Sequence, residues 1–160
     1  MDHIIRPMRE TEYPLLEDFL YEAIFVPEGV EPPPKSIVNA PELQVYISDF
    51  GSEPHDIALV AEVDNKAVGA VWVRIMHDYG HIDDETPSFA ISLYREYRGL
   101  GIGTEMMKAM LTILKNRGYK RASLAVQKEI YAVKMYLKVG FEIVGENEQE
   151  YIVIARIQEG

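Results

Sequence analysis

The 160 residues carry 26 Asp/Glu against 16 Lys/Arg, a net charge of −10, with 48% apolar residues and no cysteine. The missing cysteines exclude disulfides, cysteine nucleophiles and thiolate metal centres. The length suits one domain over 1–160 with a substantial core, no apolar run approaches a membrane span, and Met1-Asp2-His3 lacks the layout of a secretory signal, so a soluble, cytoplasmic protein is expected.

Ile4-Ile5 before Arg6-Pro7 reads as a short first strand. Thr11 reads as an N-cap with Pro14 near the start of a helix whose apolar residues are Leu15, Leu16, Phe19, Leu20, Ala23 and Ile24. Pro27 to Pro41 interrupts regular structure around a stiff Pro32-Pro33-Pro34, and Glu42–Phe50 is expected as a second helix ended by Gly51. Ile57–Val63 and Ala67–Met76 read as strands joined through Asp64-Asn65-Lys66, with apolar groups on both faces of the second.

His77 to Glu85 is a polar loop with two histidines and four acids, read as facing substrate and without a metal, since its spacings match no defined ligand set. Phe89–Tyr94 is a strand, Glu105–Asn116 a helix and Tyr119–Val126 a further strand. Ile130–Val139 is a last helix stopped by Gly140, and Phe141–Glu146 with Tyr151–Ile157 a closing hairpin.

Between the Phe89–Tyr94 strand and its helix stands Arg98-Gly99-Leu100-Gly101-Ile102-Gly103-Thr104. A helix start offers unpaired N–H groups and a partial positive charge, and glycine lets phosphate oxygens approach them. A P-loop requires a lysine that this stretch lacks. A dinucleotide fingerprint requires Gly-x-Gly-x-x-Gly and an acid after the next strand, where Gln127-Lys128 stand instead. Between Arg95 and Lys138 there are ten Lys/Arg against three Asp/Glu, while the remainder carries six against 23. A basic segment suits a polyanionic cofactor, and an acidic remainder suits a cationic amine and disfavours nucleic acid.

Arg98-x-x-Gly101-x-Gly103 resembles the pyrophosphate-binding signature of the GNAT superfamily of acyl-CoA-dependent N-acyltransferases. Ala132-Val133-Lys134-Met135-Tyr136-Leu137-Lys138-Val139-Gly140-Phe141 and the opening Ile4-Ile5-Arg6-Pro7 are similar to further blocks of that family, in the same order. The resemblance implies an α/β (α+β) fold, a mixed, mostly antiparallel central sheet flanked by helices. It implies acetyl-CoA as co-substrate with no metal. Ile91, Ser92 and Leu93 would pair their backbones with the pantetheine arm, with the Leu93 N–H on the thioester oxygen. Arg98, Gly99, Leu100, Gly101, Ile102, Gly103 and Thr104 would cradle the pyrophosphate. Tyr136 would protonate the leaving thiolate, for which a phenol is chemically suited.

The implied reaction is acetyl transfer to a primary amine of a small molecule or peptide by direct attack on the thioester. The alternative is a catalytically weak acyl-CoA-binding sensor or scaffold of the same fold. No motif marks a general base: Glu62, His77, His81, Asp83 and Glu85 qualify by chemistry alone. Where the family often carries Asn on the cofactor arm, this chain has Ile130. The expected partners are the amine substrate, with neither nucleic acid nor membrane, and a homodimer is left open.

Overall fold

The computed structural model describes residues 2–128 and 132–157. Strands β1 (Ile4–Pro7), β2 (Ile57–Val63), β3 (Lys66–Arg74), β4 (Ser88–Leu93), β5 (Arg121–Gln127), β6 (Phe141–Glu146) and β7 (Glu150–Arg156) form one sheet, ordered β1-β2-β3-β4-β5-β7-β6. Every neighbouring pair is antiparallel except β4–β5, which is parallel and is joined by the crossover helix α3 (Ile102–Asn116). The helices α1 (Leu16–Ala23), α2 (Pro41–Gln44) and α4 (Ala132–Val139) complete the fold. It is the mixed, mostly antiparallel sheet with flanking helices that the sequence implied.

Period-two alternation along β3 feeds two cores. Val71 and Val73 join Met106, Met107, Met110 and Leu114 of α3 on one face. Ala70 and Trp72 join Leu16, Phe19 and Leu20 of α1 on the other. Phe19, Trp72 and the three methionines are wholly buried. Side chains of this size contribute roughly 1.5–3 kcal/mol each on burial. Asp64 and Asn65 both take left-handed backbone angles (φ +51 and +64) between the paired Val63 and Lys66, the tight hairpin the sequence suggested.

Two expected helices are altered. Thr11 caps nothing: a 3-10 segment spans Glu10–Leu15 from Arg9, and α1 begins only at Leu16. Pro14, inside that segment, has no N–H to give an α-ladder. Glu12 accepts from the Arg9 N–H and is gripped by Arg6 through two bonds of 2.8 and 2.9 Å. The expected Glu42–Phe50 helix shrinks to the single turn of α2, followed by turns to Gly51. Side chains of β3 take the carbonyls a longer helix would need. Trp72 Nε1 donates to Tyr46 (3.0 Å), and Arg74 donates to Val45 (3.3 Å) and Ser48 (2.9 Å).

The expected start of the last helix, including Ile130, lies outside the described residues; α4 is described from Ala132. No helix among the described residues is long and apolar enough to cross a membrane.

Candidate active site

β4 and β5 part company soon after they meet. Among the described residues their only register pair is Ser88 with Ser123, supported by the Ser123 N–H donating to the Pro87 carbonyl at 2.9 Å. β4 remains paired with β3 through six positions and β5 with β7 through seven, so each strand follows its other neighbour. The Tyr94 N–H donates to Val68, which sets the alternation along β4. Ala90 and Ser92 turn their backbone groups to β3, while Ile91 and Leu93 turn theirs into the opening.

A cleft of about 880 Å³ occupies this opening, and Ile91, Leu93, Gly101, Gly103, Thr104 and Tyr136 are among its walls. Gly99 and Gly101 hold φ of +76 and +86, angles that favour glycine. Gly101 is the N-cap of α3 and has no side chain to cap it, and the first intrahelical bond is Glu105 N–H to Gly101 C=O at 3.2 Å. The N–H groups of Ile102, Gly103 and Thr104 therefore have no acceptor within the helix. Ile102 is 1% exposed and anchors the helix start in the core, whereas Leu100 projects outward.

The other residues singled out from the sequence are placed as follows. Arg98 gives its Nε to the Leu93 carbonyl at 2.8 Å and its terminal nitrogen to the backbone and carboxylate of Glu22, at 3.3 and 3.4 Å. It thereby ties the end of β4 to the end of α1 at the cleft's rim. The Ser92 hydroxyl donates to the Phe19 carbonyl at 2.6 Å, so this serine faces α1. Tyr136 is 6% exposed, makes an edge contact with Phe141 at 6.1 Å, and also lines the cleft. Burial pushes its phenol well above the ordinary range, so it keeps its proton at neutral pH. The Pro-rich segment reaches the cleft. Pro32 and Pro33 line it, and the Tyr21 hydroxyl holds the Pro33 carbonyl at 2.5 Å.

The base candidates fare unequally. Glu62 is bound to Arg6 at 3.2 Å on β2, away from the opening. Asp83 pairs with Arg121, and its carboxyl is held below the usual range, first by the Thr86 hydroxyl and then by the Glu85 N–H. His81 points Nδ1 at the Met76 carbonyl (3.0 Å) and lies against His77 with ring centres 4.4 Å apart and planes tilted by 42°, beside Asp84.

Sequence reasoning passed over Asp78, the most enclosed carboxylate of this loop. It accepts from Tyr46 (3.0 Å) and from Ser88 (3.2 Å), and Ser88 is also the β4 end of the bridge to β5. Burial raises its pKa, and its charge adds to the burial that raises Glu150 on β7. Two residues on, a Cβ on Gly80 would come within 3.1 Å of the Ala125 nitrogen, so the loop lies directly on β5. No local signal separated Asp78 from its exposed acidic neighbours, because its partners come from 32 and 10 positions away.

A parallel strand pair thus opens beside a glycine-rich helix start, with a buried tyrosine in the wall of the cleft. Residues 19–141 match the model of the Acetyltransferase (GNAT) family, and the chain belongs to that family. It is 34% identical over 84 residues to the probable N-acetyltransferase camello of Xenopus tropicalis, covering 52% of this chain and 37% of that protein. It is 32% identical over 101 residues to N-alpha-acetyltransferase 50 of Danio rerio, covering 62% and 59%. The chain thus spans about 37–59% of the length of these curated relatives.

Among solved structures, the PaiA N-acetyltransferase of Thermoplasma acidophilum in complex with coenzyme A matches with a TM-score of 0.72, at 19% identity over 98% of this chain and 99% of that one. The ribosomal-protein-S18-alanine N-acetyltransferase of Escherichia coli matches with a TM-score of 0.69, at 13% identity over 99% and 96%.

Proposed function

We propose that this chain is an N-acetyltransferase that moves the acetyl group of acetyl-CoA to a primary amine of a small molecule or peptide. The observation that carries the reading is the opening between β4 and β5, where the backbone groups of Ile91 and Leu93 face a cleft bounded by the N-terminus of α3. Unpaired N–H groups at that terminus suit pyrophosphate oxygens. The edge of β4 suits the amides of a pantetheine arm.

The depth of the arm favours Ile91 over Leu93 as donor to the thioester oxygen. A Cβ on Gly103 would stand 3.7 Å from Leu93 Cδ1, so Leu93 lies beside the phosphate end. The thioester ends a long arm and belongs deeper, and Ile91 is about 7 Å further along the strand. Its N–H, fixed in the ladder's geometry, would stabilise the charge that develops on the carbonyl oxygen as nitrogen attacks.

The amine lone pair forms the C–N bond, the C–S bond breaks, and the sulfur takes the proton of the Tyr136 hydroxyl. The nitrogen loses a proton on the opposite face of the sheet. There Asp78, with its raised pKa and its link to the bridge through Ser88, is the best-supported acceptor. The acidic pair Asp78 and Glu150 also favours a cationic amine over an anionic one.

The test is release of CoA from acetyl-CoA across a panel of small amines and peptide N-termini. Turnover of at least one amine, with the acetyl group recovered on its nitrogen, is expected. Tight acetyl-CoA binding with no acetylated amine across the panel would leave a sensor or scaffold in its place.

A further inference from the structure

The connection between β3 and β4 folds three metal-ligating side chains onto one another. The His81 N–H closes a turn on the Asp78 carbonyl at 3.1 Å, and this brings the imidazoles of His77 and His81 together at 4.4 Å between ring centres. Asp84 Oδ1 then lies 3.6 Å from His81 Nε2. One donor atom from each of the three residues falls within 4.8 Å of the others. The remaining two histidines of the chain are engaged elsewhere, His3 with Glu105 and His55 with Tyr119.

The tautomer of His81 follows from its neighbour. A carbonyl oxygen only accepts, so in the neutral imidazole the Nδ1 that faces Met76 at 3.0 Å carries the ring proton and Nε2 carries the lone pair. That lone pair faces the gap shared with His77 and Asp84. An imidazole held by a backbone carbonyl through one nitrogen, with the other left bare, is the arrangement that orients histidine toward a metal.

We propose that His77, His81 and Asp84 hold a divalent transition-metal ion of the zinc type. Two imidazole nitrogens and one carboxylate oxygen suit zinc, nickel or copper rather than calcium or magnesium, which prefer all-oxygen sets. Bonds of about 2.0–2.2 Å to a tetrahedral ion put donors roughly 3.4 Å apart. Closing from 4.8 Å asks for side-chain rotation of an ångström or so, and His77 and Asp84 are both exposed on the rim. A water completes the shell.

The ion's effect would be mechanical. It would staple the outer side of a loop whose inner side carries Asp78 to Ser88 and Gly80 to Ala125. The proposal does not depend on acetyl transfer and stands or falls separately.

The test uses chelator-stripped protein without a histidine tag, titrated with zinc by calorimetry and with cobalt by visible absorbance. Wild type should bind one ion per chain, give the d–d bands of a low-coordinate cobalt site, and melt at a higher temperature when loaded. His77→Ala and Asp84→Asn, both on exposed side chains, should each weaken binding at least tenfold, whereas His55→Ala should not. Far-UV dichroism verifies that each variant is folded, and acetyl-CoA binding measured on the same samples reports separately on the other reading. Absence of stoichiometric binding by wild type overturns the proposal. So does undiminished binding by His77→Ala together with Asp84→Asn.

Discussion

The hydroxyls of Ser88 and Ser123 lie 3.3 Å apart, both wholly buried, at the register pair that joins β4 to β5 among the described residues. Ser88 also donates to Asp78, so the point where the strands part is tied directly to the enclosed carboxylate of the loop before β4. The end of the opening and the anchoring of Asp78 therefore share one residue, Ser88.

That arrangement sets Asp78 against stability. Burial raises its pKa, so the folded state holds its proton above the pH at which an unfolded aspartate has lost it. Stability associated with this group falls as pH rises through the interval between the two pKa values. Asp78→Asn keeps an acceptor for Tyr46 and removes the buried charge. It should raise the melting temperature at neutral pH while lowering kcat/KM for the amine by roughly 10²-fold, the lower end for a positioned base. Thermal melts and steady-state kinetics on one preparation check both halves.

Glu12 has the opposite sign. The paired guanidinium of Arg6 lowers its pKa from 4.5 to about 2. Its contribution is complete above the unfolded value near 4.5 and is lost as pH falls toward 2. Glu12→Gln should flatten the dependence of urea midpoints on pH across that window. An unchanged slope would mean that the Arg6 bridge contributes nothing to folding.

Gly101, at φ +86, differs in kind from Gly103, whose added Cβ would make only ordinary contacts at 3.7 Å. Gly101→Val should abolish acetyl-CoA binding and cost about 1–2 kcal/mol, because an L side chain resists the left-handed region. Gly103→Ala should fold as well as wild type. Calorimetry with acetyl-CoA, NAD and ATP on these proteins should give heat only for acetyl-CoA, and only where Gly101 is intact.

If acetyl-CoA binds the folded chain specifically, ligand at 100 times its dissociation constant should add about 2.7 kcal/mol of stability. Denaturant titrations with and without ligand measure it, and identical curves would contradict the site.

Tyr136→Phe keeps the ring against Phe141 and deletes the proton donor. Affinity for acetyl-CoA should hold while turnover falls by roughly 10²–10⁴. The deficit should shrink with a donor whose leaving thiol is more acidic. Unchanged turnover would make Tyr136 a packing residue only.

What could be read from the sequence was what the chain decides locally. The glycines after Arg98 announce an open turn before a helix, Asp64-Asn65 announces a tight turn, and Met106, Met107, Met110, Leu111 and Leu114 announce the apolar face of α3, of which Leu111 is the partly buried member. What escaped was decided by distant partners or by the shape of an irregular loop. The Glu42–Phe50 helix is undone by Trp72 and Arg74, more than twenty positions later. Arg98, read with the glycine loop as cradling a pyrophosphate, also gives its nitrogens to Leu93 and Glu22, the latter 76 positions away. The grouping of His77, His81 and Asp84 depends on a turn that spacing alone does not encode.

The parting of β4 from β5 divides the sheet into two slabs, β1 to β4 and β5 with β7 and β6, hinged at one bridge. Among the described residues the edge of β4 thereby lacks a strand partner at Ile91 and Leu93, with Arg98 taking the Leu93 carbonyl. A pantetheine arm lying there would serve as a borrowed strand, grouting the two slabs into one plate. Amide exchange at Ile91, Leu93 and along β5 should then slow together as the ligand saturates, while the β2–β3 hairpin, already complete, keeps its own pace.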